Sequence, residues 1–343
     1  MPTALASSCR RSLLILNNWL EVYQPADIAP YQQRRDGETR LGECIRFVDL
    51  CTPWPQALVA AKASGCRYVL LGIPEDIGPR ANLGNGGADG GFAALLSKLV
   101  NLQANQLVDP TQLLLLGQVH CADLQQACAG LDATQPDDLA QLRLHCAELD
   151  RRVSAVLAPV FAAGLIPLVI GGGHNNALPI LQAASQHTGQ PLQAINLDPH
   201  CDFRLLAGRH SGNGFSYAHQ AGWLQHYFVV GLHELKNSAK ALTQLQNAGA
   251  GYVSYQQIWQ RRALSFADAV ERAIAHVAGG LNNGLGIELD TDSISGMPVS
   301  AYTNCGLSVA DAEYFVWRLA QLPQSRYLHL AEAAPSQHPA GLK

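Results

Sequence analysis

The chain has 343 residues, 48% of them hydrophobic and 15% charged, and a formal net charge of −4. That is enough apolar material for a sizeable core and too little charge for a disordered chain. The negative balance, the lack of any Lys/Arg run and an aromatic content of 7% argue against nucleic acid as a partner.

Near the N-terminus, Arg10-Arg11 followed by Leu13 to Leu16 imitates the start of a secretory signal, but Asn17 and Asn18 end the apolar stretch too early. Pro25, Pro30, Pro53 and Pro55 break up any long element before residue 60. Residues 1–60 therefore read as an N-terminal extension packed on one large domain spanning residues 61–343. From about Arg67 onward, short runs rich in Val, Ile and Leu alternate with longer segments of helical period. Strands are expected at Arg67 to Ile73, Gln112 to Leu116, Ile166 to Ile170, Leu192 to Leu197, Tyr227 to Gly231, Gly284 to Leu289 and Tyr327 to Leu330. Helices are expected at Leu139 to Ala163, Ala177 to His187, Leu235 to Ala248, Phe266 to Ala278 and Ser308 to Leu319. Leu113 to Leu116 and Pro167 to Ile170 show no polar alternation, as in strands buried on both faces. The fold class is α/β, a three-layer α/β/α arrangement with a mainly parallel central sheet.

The glycines of Gly84-Asn85-Gly86-Gly87 do not match a dinucleotide fingerprint. The tract Gly78 to Gly90 reads equally as a substrate-side loop or as a connection. Nine cysteines, an odd number without C-x-x-C spacing, fit a reducing compartment. No stretch approaches the roughly 20 apolar residues needed to cross a bilayer, so a cytoplasmic protein without membrane contact is expected.

Three polar clusters each follow an expected strand: Gly171-Gly172-Gly173-His174-Asn175, Asp198-Pro199-His200-Cys201-Asp202, and Asp290-Thr291-Asp292. In an open parallel sheet, ligands bind at the carboxyl ends of the strands, so the clusters can converge. If Asp198, His200 and Asp202 lie on an extended segment, alternate side chains face one side, and Asp290 and Asp292 repeat that geometry. Four carboxylates this close repel one another unless cations neutralise them. Mixed imidazole and carboxylate donors suit Mn²⁺, Zn²⁺, Ni²⁺ or Fe²⁺ better than Ca²⁺. Six donors are too many for one catalytic ion with an open position. Two ions, typically roughly 3.5 to 4 Å apart, are expected, and water shared by such a pair is a nucleophile near neutral pH.

These clusters resemble the motifs of the ureohydrolases (arginase, agmatinase, formimidoylglutamase), GGDHS, DAHxD and SxDxD; the third corresponds to Glu288 through Asp292. The resemblance runs from roughly Arg67 to Pro335. It implies an arginase-like fold and a di-manganese centre held by His174, Asp198, His200, Asp202, Asp290 and Asp292. His174, Asp198, Asp202 and Asp290 would serve one ion or both, and His200 and Asp292 would complete the second. The chain departs from the motifs at Gly173, Asn175 and Glu288, where the family has Asp, Ser and Ser. The missing Asp removes a carboxylate able to orient a ligand.

Arginases carry a His shortly after Ser-Gly-Asn; here Ser211-Gly212-Asn213-Gly214-Phe215 places Phe215 there, close to the Ser-Gly-Thr-Pro-Phe of formimidoylglutamases. His210 and His219 are the nearby rings that could shuttle a proton instead. Glu332, in the segment matching E-V-N-P, is implied as an acceptor for amidine or guanidine nitrogens. Asn213 of the Ser-Gly-Asn segment is assigned to substrate binding. Arg80, Arg204 and Arg209 are expected as partners of a substrate carboxylate, and Asp292 as a carrier of the proton. The activity implied is hydrolysis of a linear amidine, N-formimidoyl-L-glutamate giving glutamate and formamide. The alternatives are a guanidino hydrolase that releases urea, and a pseudoenzyme that keeps the metal for stability or binding. A small-molecule substrate is implied, and a homo-oligomer is compatible with the family.

Overall fold

The computed structural model describes residues 19–337; the signal-like stretch Leu13 to Leu16 lies outside them. The apolar runs form a nine-stranded sheet: β1 (Leu20–Val22), β2 (Tyr68–Gly72), β3 (Leu113–Val119), β4 (Ile166–Ile170), β5 (Leu192–Leu197), β6 (Leu224–Leu232), β7 (Gly251–Ser254), β8 (Leu285–Asp290) and β9 (Ser325–Ala331). Their spatial order is β1-β3-β2-β4-β9-β8-β5-β6-β7. β1 runs antiparallel to β3, and every other pairing is parallel.

Alternate side chains of each strand enter different layers, as the two-residue period of a strand requires. Leu114 and Leu116 pack with the helices Pro136–Ala162 and Ala177–Thr188, while Leu115 faces Phe92 and Leu96 on the opposite side. Farther along the sheet, Ile195 and Leu197 lie against the helices Phe266–Val277 and Val309–Ala320. Both faces are covered, which explains strands without polar alternation.

Two strands were not expected from sequence, β1 and β7. Each is an edge strand of three or four residues, too short for a hydrophobic period to show. The helix Trp54–Ala63 also corrects the reading of Pro53 and Pro55 as breakers. Pro53 is the residue before the helix and Pro55 its second position, where no backbone N–H is needed. The helix expected from Leu235 begins only at Ala239, because Ser238 Oγ accepts from Ala241 N at 3.1 Å and caps it there. Among the described residues, no helix is long and apolar enough to cross a membrane, and eight cysteines are free thiols.

The four central neighbours β4, β9, β8 and β5 present their carboxyl ends side by side. The three sequence clusters and Glu332 follow those four strands.

Candidate metal centre and active site

After β4 the chain turns through Gly171 (φ +85°) and Gly172 (φ +71°), conformations that favour glycine. A Cβ on Gly172 would lie 2.5 Å from Asn176 Nδ2 and 2.8 Å from Glu75 Oε1, so the turn has no room for a side chain. Gly173 N donates to Glu75 Oε1 at 2.7 Å, and Gly78 N donates to Glu75 Oε2 at 3.0 Å. Glu75 thus ties the loop after β2 to the turn after β4; burial raises its carboxyl above the ordinary range despite these donors. The turn delivers His174, fully buried, into the space between β5 and β8.

His174 Nδ1 lies 3.3 Å from Asp198 Oδ2, 3.1 Å from Asp202 Oδ2 and 3.3 Å from Asp290 Oδ2. His200 Nδ1 lies 3.5 Å from Asp198 Oδ1 and 3.0 Å from Asp292 Oδ2. Two groups result, His174-Asp198-Asp202-Asp290 and Asp198-His200-Asp292; in each, one donor atom per residue lies within 4.8 Å of the others. Asp198 belongs to both, offering one carboxylate oxygen to each side. All six residues named from sequence therefore meet.

The route by which they meet differs from the strand alternation expected. β5 ends at Leu197, and Asp202 sits at φ +43°, so Asp198 to Asp202 is not extended. Instead, Asp198 Oδ1 accepts from His200 N at 2.6 Å, and Asp290 Oδ1 accepts from Asp292 N at 2.8 Å. Each first aspartate closes a tight turn that swings the later ligand back toward it, a local bond that Asp makes readily.

The electrostatics favour a cation at this site. Burial, reinforced by Asp292 and Asp198, raises the Asp290 carboxyl well above its ordinary range, and burial with Asp198 raises Asp202. Burial also disfavours the ionised Asp198, yet the His174 and His200 rings hold its carboxyl well below the usual range. His174 Nδ1 and Asp292 Oδ1 are buried without a hydrogen-bond partner. An unpaired imidazole nitrogen facing three carboxylates at 3.1 to 3.3 Å, as His174 Nδ1 does, fits a small divalent ion with both N and O ligands.

Glu332 follows β9 at φ +66°, a conformation uncommon outside glycine. Its Oε1 accepts from His174 N at 2.8 Å. Burial, opposed by that bond and aided by Asp292 and Asp202, pushes its carboxyl up to about 8. His200, Asp202, Asp290, Asp292 and Glu332 share a cavity of about 130 Å³ with Pro79, Asn82 and Ser300. Pro79, Asn82 and Gly84 bring part of the tract Gly78 to Gly90 onto that wall. A wider cleft of about 560 Å³ opens beside His200 and Asp202 and is lined by Arg204, Lys236 and Lys240.

Several expected substrate contacts are engaged elsewhere. Arg80 Nη2 donates to Cys128 O at 2.7 Å and Leu131 O at 3.0 Å, anchoring a neighbouring loop. Arg209 is buried, donating to Asp150 Oδ2 at 2.7 Å, Asn213 Oδ1 at 2.5 Å and Asn175 O at 2.9 Å. Asn213 is saturated: Oδ1 also accepts from His210 N, and Nδ2 donates to Leu205 O and Gly208 O. Arg209 and Asn213 hold the loop after β5 and Arg80 holds the segment at Cys128 and Leu131; none of the three lines the cavity, in contrast to the substrate contacts expected of them. Phe215 is buried edge-on to His174, with ring centroids 5.2 Å apart, and stacks on Tyr227 at 4.3 Å; it does not line the cavity. His210 Nδ1 accepts from Gly212 N, and burial together with Arg143, Arg204 and Arg209 lowers the ring to about 3, so it stays neutral. His219 Nδ1 lies 3.3 Å from Leu224 O, beside Phe203 rather than at the cavity.

An open parallel α/β sheet with paired His/Asp donor groups at its carboxyl edge defines a metallohydrolase architecture. The chain belongs to the arginase family, whose model matches residues 66–342. It is 28% identical to formimidoylglutamase of Chromobacterium violaceum over 297 residues, 82% of this chain and 85% of that protein. It is likewise 28% identical to formimidoylglutamase of Aeromonas hydrophila, over 92% of this chain and 94% of the relative. The crystal structure of Trypanosoma cruzi formiminoglutamase with Mn²⁺ shares the fold, with a TM-score of 0.64 and 20% identity over 87% of this chain and 91% of that one. Bacillus subtilis formimidoylglutamase matches with a TM-score of 0.63 and 17% identity, over 90% of this chain and 88% of that one.

Proposed function

We propose that this protein hydrolyses the carbon–nitrogen bond of a linear amidine that carries carboxylates, with N-formimidoyl-L-glutamate and water giving L-glutamate and formamide. The observation that carries the reading is the position of Glu332 with His200, Asp202, Asp290 and Asp292 on the wall of a cavity whose neighbouring cleft bears Arg204, Lys236 and Lys240. An anionic wall with cationic groups beside it suits a substrate with an amidinium at one end and carboxylates at the other. Agmatine, cationic without a carboxylate, would leave those three cations without a partner.

His174, Asp198, Asp202 and Asp290 would hold one divalent ion, and Asp198, His200 and Asp292 the second, manganese being the ion the relatives point to. Such a pair supplies an activated water at neutral pH and polarises the bond under attack. Glu332 accepts hydrogen bonds from the amidine nitrogens; the cationic group at contact restores its carboxylate against the effect of burial. Its bond from His174 N fixes one oxygen, which orients the planar amidinium over the aspartates. Asp292 Oδ1, without a partner of its own, carries the proton to the departing nitrogen of glutamate. Arg204, whose Nη1 donates to Asn82 Oδ1 at 3.1 Å, stands at the mouth to take a substrate carboxylate.

Incubation of Mn²⁺-loaded protein with N-formimidoyl-L-glutamate, arginine and agmatine in separate reactions tests the reading. Glutamate and formamide in equal amounts from the first substrate are expected. Urea from arginine or agmatine without formamide from the first substrate would overturn it in favour of a guanidino hydrolase.

A further inference from the structure

Behind the metal-binding residues lies a second buried polar group that no part of the proposed chemistry uses: Glu288 on β8 with Tyr327 and His329 on β9. Glu288 and His329 are register partners on adjacent parallel strands, so their side chains share one face of the sheet. His329 Nδ1 lies 2.7 Å from Glu288 Oε2, and Tyr327 OH donates to Glu288 Oε1 at 2.7 Å. The remaining side of Oε2 faces His174 Nε2 at 3.4 Å. Glu288, His329 and His174 are fully buried, and Tyr327 is 1% exposed.

A carboxylate sealed into a sheet interior is costly unless donors surround it. Tyr327 and His329 supply hydrogen bonds here, and the third neighbour, His174 Nε2, is buried without a hydrogen-bond partner on the ring whose Nδ1 faces Asp198, Asp202 and Asp290. When Nδ1 gives its lone pair to a cation, the single ring proton resides on Nε2, and Glu288 Oε2 is the acceptor facing it. An imidazole anchored in this way keeps its tautomer and orientation and binds metal more tightly. The position matters in this chain because residue 173 is glycine, so no carboxylate on the neighbouring turn performs the task.

We infer that Glu288, held by Tyr327 and His329, is a positioning residue that orients His174 for the ion of the His174-Asp198-Asp202-Asp290 group. The inference rests on the two-ion reading of the site. Its consequence is local: loss of Glu288 weakens one ion and leaves the Asp198-His200-Asp292 group nearly unchanged.

The test is Mn²⁺ titration of the metal-free parent and of Glu288→Gln against a competing chelator, with thermal melting of both metal-free proteins. Two ions are expected in the parent, and in E288Q one of them bound about 10- to 100-fold more weakly, the other within about threefold. Parent affinity for both ions in E288Q overturns the inference. So does equal weakening of both ions together with a lower metal-free melting temperature, which would mark Glu288 as packing alone. A parent that binds no Mn²⁺ overturns the two-ion reading itself, and that result is seen before any variant is made. Should E288Q fail to fold, Tyr327→Phe removes only the hydroxyl on Oε1: about threefold weaker binding of one ion supports the inference, and unchanged binding overturns it.

Discussion

A Cβ built on Gly173 would lie 2.3 Å from Pro79 Cδ and 2.4 Å from Asn175 Oδ1, so the departure from the family motif at this position has a steric cause. Pro79 is held by a short helix, Ile77–Ala81, and cannot yield easily. Gly173→Asp, which restores the family residue, would both overpack this corner and place a second carboxylate near buried Glu75. It should destabilise the protein by about 3 kcal/mol or more, read by thermal or denaturant unfolding; unchanged stability would show that the loop carrying Pro79 moves aside. Arg204 makes a different case, being exposed at the mouth, where its Nη1 donates to Asn82 Oδ1. Arg204→Ala should raise KM for N-formimidoyl-L-glutamate about tenfold and leave kcat close to the parent, since the carboxylate contact is the same in ground and transition states. Steady-state kinetics decide it, and a fall in kcat with constant KM would place Arg204 in the chemistry instead.

At the level of elements, the loop after β5 is pinned to the helix Pro136–Ala162 by Arg209. Its guanidinium meets Asp150 through Nε at 2.7 Å and Nη2 at 3.2 Å, and both residues are buried. The same guanidinium reaches Asn213 and Asn175, so one side chain connects that helix, the loop after β5 and the turn carrying His174. Asp150→Ala would leave the Arg209 charge buried and unpaired, at a cost of about 3–5 kcal/mol. Denaturant unfolding should show that loss, and a much smaller change would mean that water reaches Arg209 in the variant. This wiring also explains why Arg209 looked like a substrate ligand from sequence. A loop arginine after a strand has the same local signature whether its partner is a substrate or an aspartate on a distant helix. Phe215 is similar: its place in the motif was readable, while its contact with the edge of His174 depends on how the helix Gly214–Gln220 packs.

For the molecule as a whole, the metal-free protein concentrates titratable groups at one buried site. His174 and His200 are raised well above their ordinary range, with the neighbouring carboxylates outweighing the opposing effect of burial. Asp290, Asp202 and Glu332 are also raised, principally by burial, and Glu332 reaches about 8. A group whose folded pKa is raised binds its proton more tightly in the folded state, so its contribution is fully present below the unfolded pKa and is lost as pH rises through the folded one. For Glu332 that window runs from 4.5 to about 8, and the two histidines act in the same direction above 6.5. The metal-free protein should therefore melt at a lower temperature at pH 8 than at pH 6. Mn²⁺ should raise the melting temperature at pH 8, by an amount equivalent to about 2.7 kcal/mol per ion at a hundredfold excess over Kd. Asp290→Ala should abolish about half of that rise, the share of the ion in the His174-Asp198-Asp202-Asp290 group. Melting curves with and without chelator measure both effects, and a metal-independent melting temperature would contradict the ion-binding reading of the site.

The sequence by itself determined the buried strands and the six donors, because both are local signals. Unbroken Val, Ile and Leu runs mark strands covered on two faces, and Asp-x-His-x-Asp and Asp-x-Asp place ligands a fixed few residues apart. It also determined that these clusters follow strand ends, which in a parallel sheet lie on one edge. Only the tertiary structure decided which isolated charged residues serve the site. Glu75 belongs to no ligand motif and Glu288 stands where the family motif has Ser, yet they hold the turn before His174 and face its ring, while Arg80 and Arg209 are spent on the fold. The physical reason is that a charged side chain is defined by its partner, and here the deciding partners, Gly173, His174, Cys128 and Asp150, lie tens of residues or more away in the chain. Register between β8 and β9, and the crossing of the helix Pro136–Ala162, create those pairings, and neither leaves a mark on the residues near the charge itself.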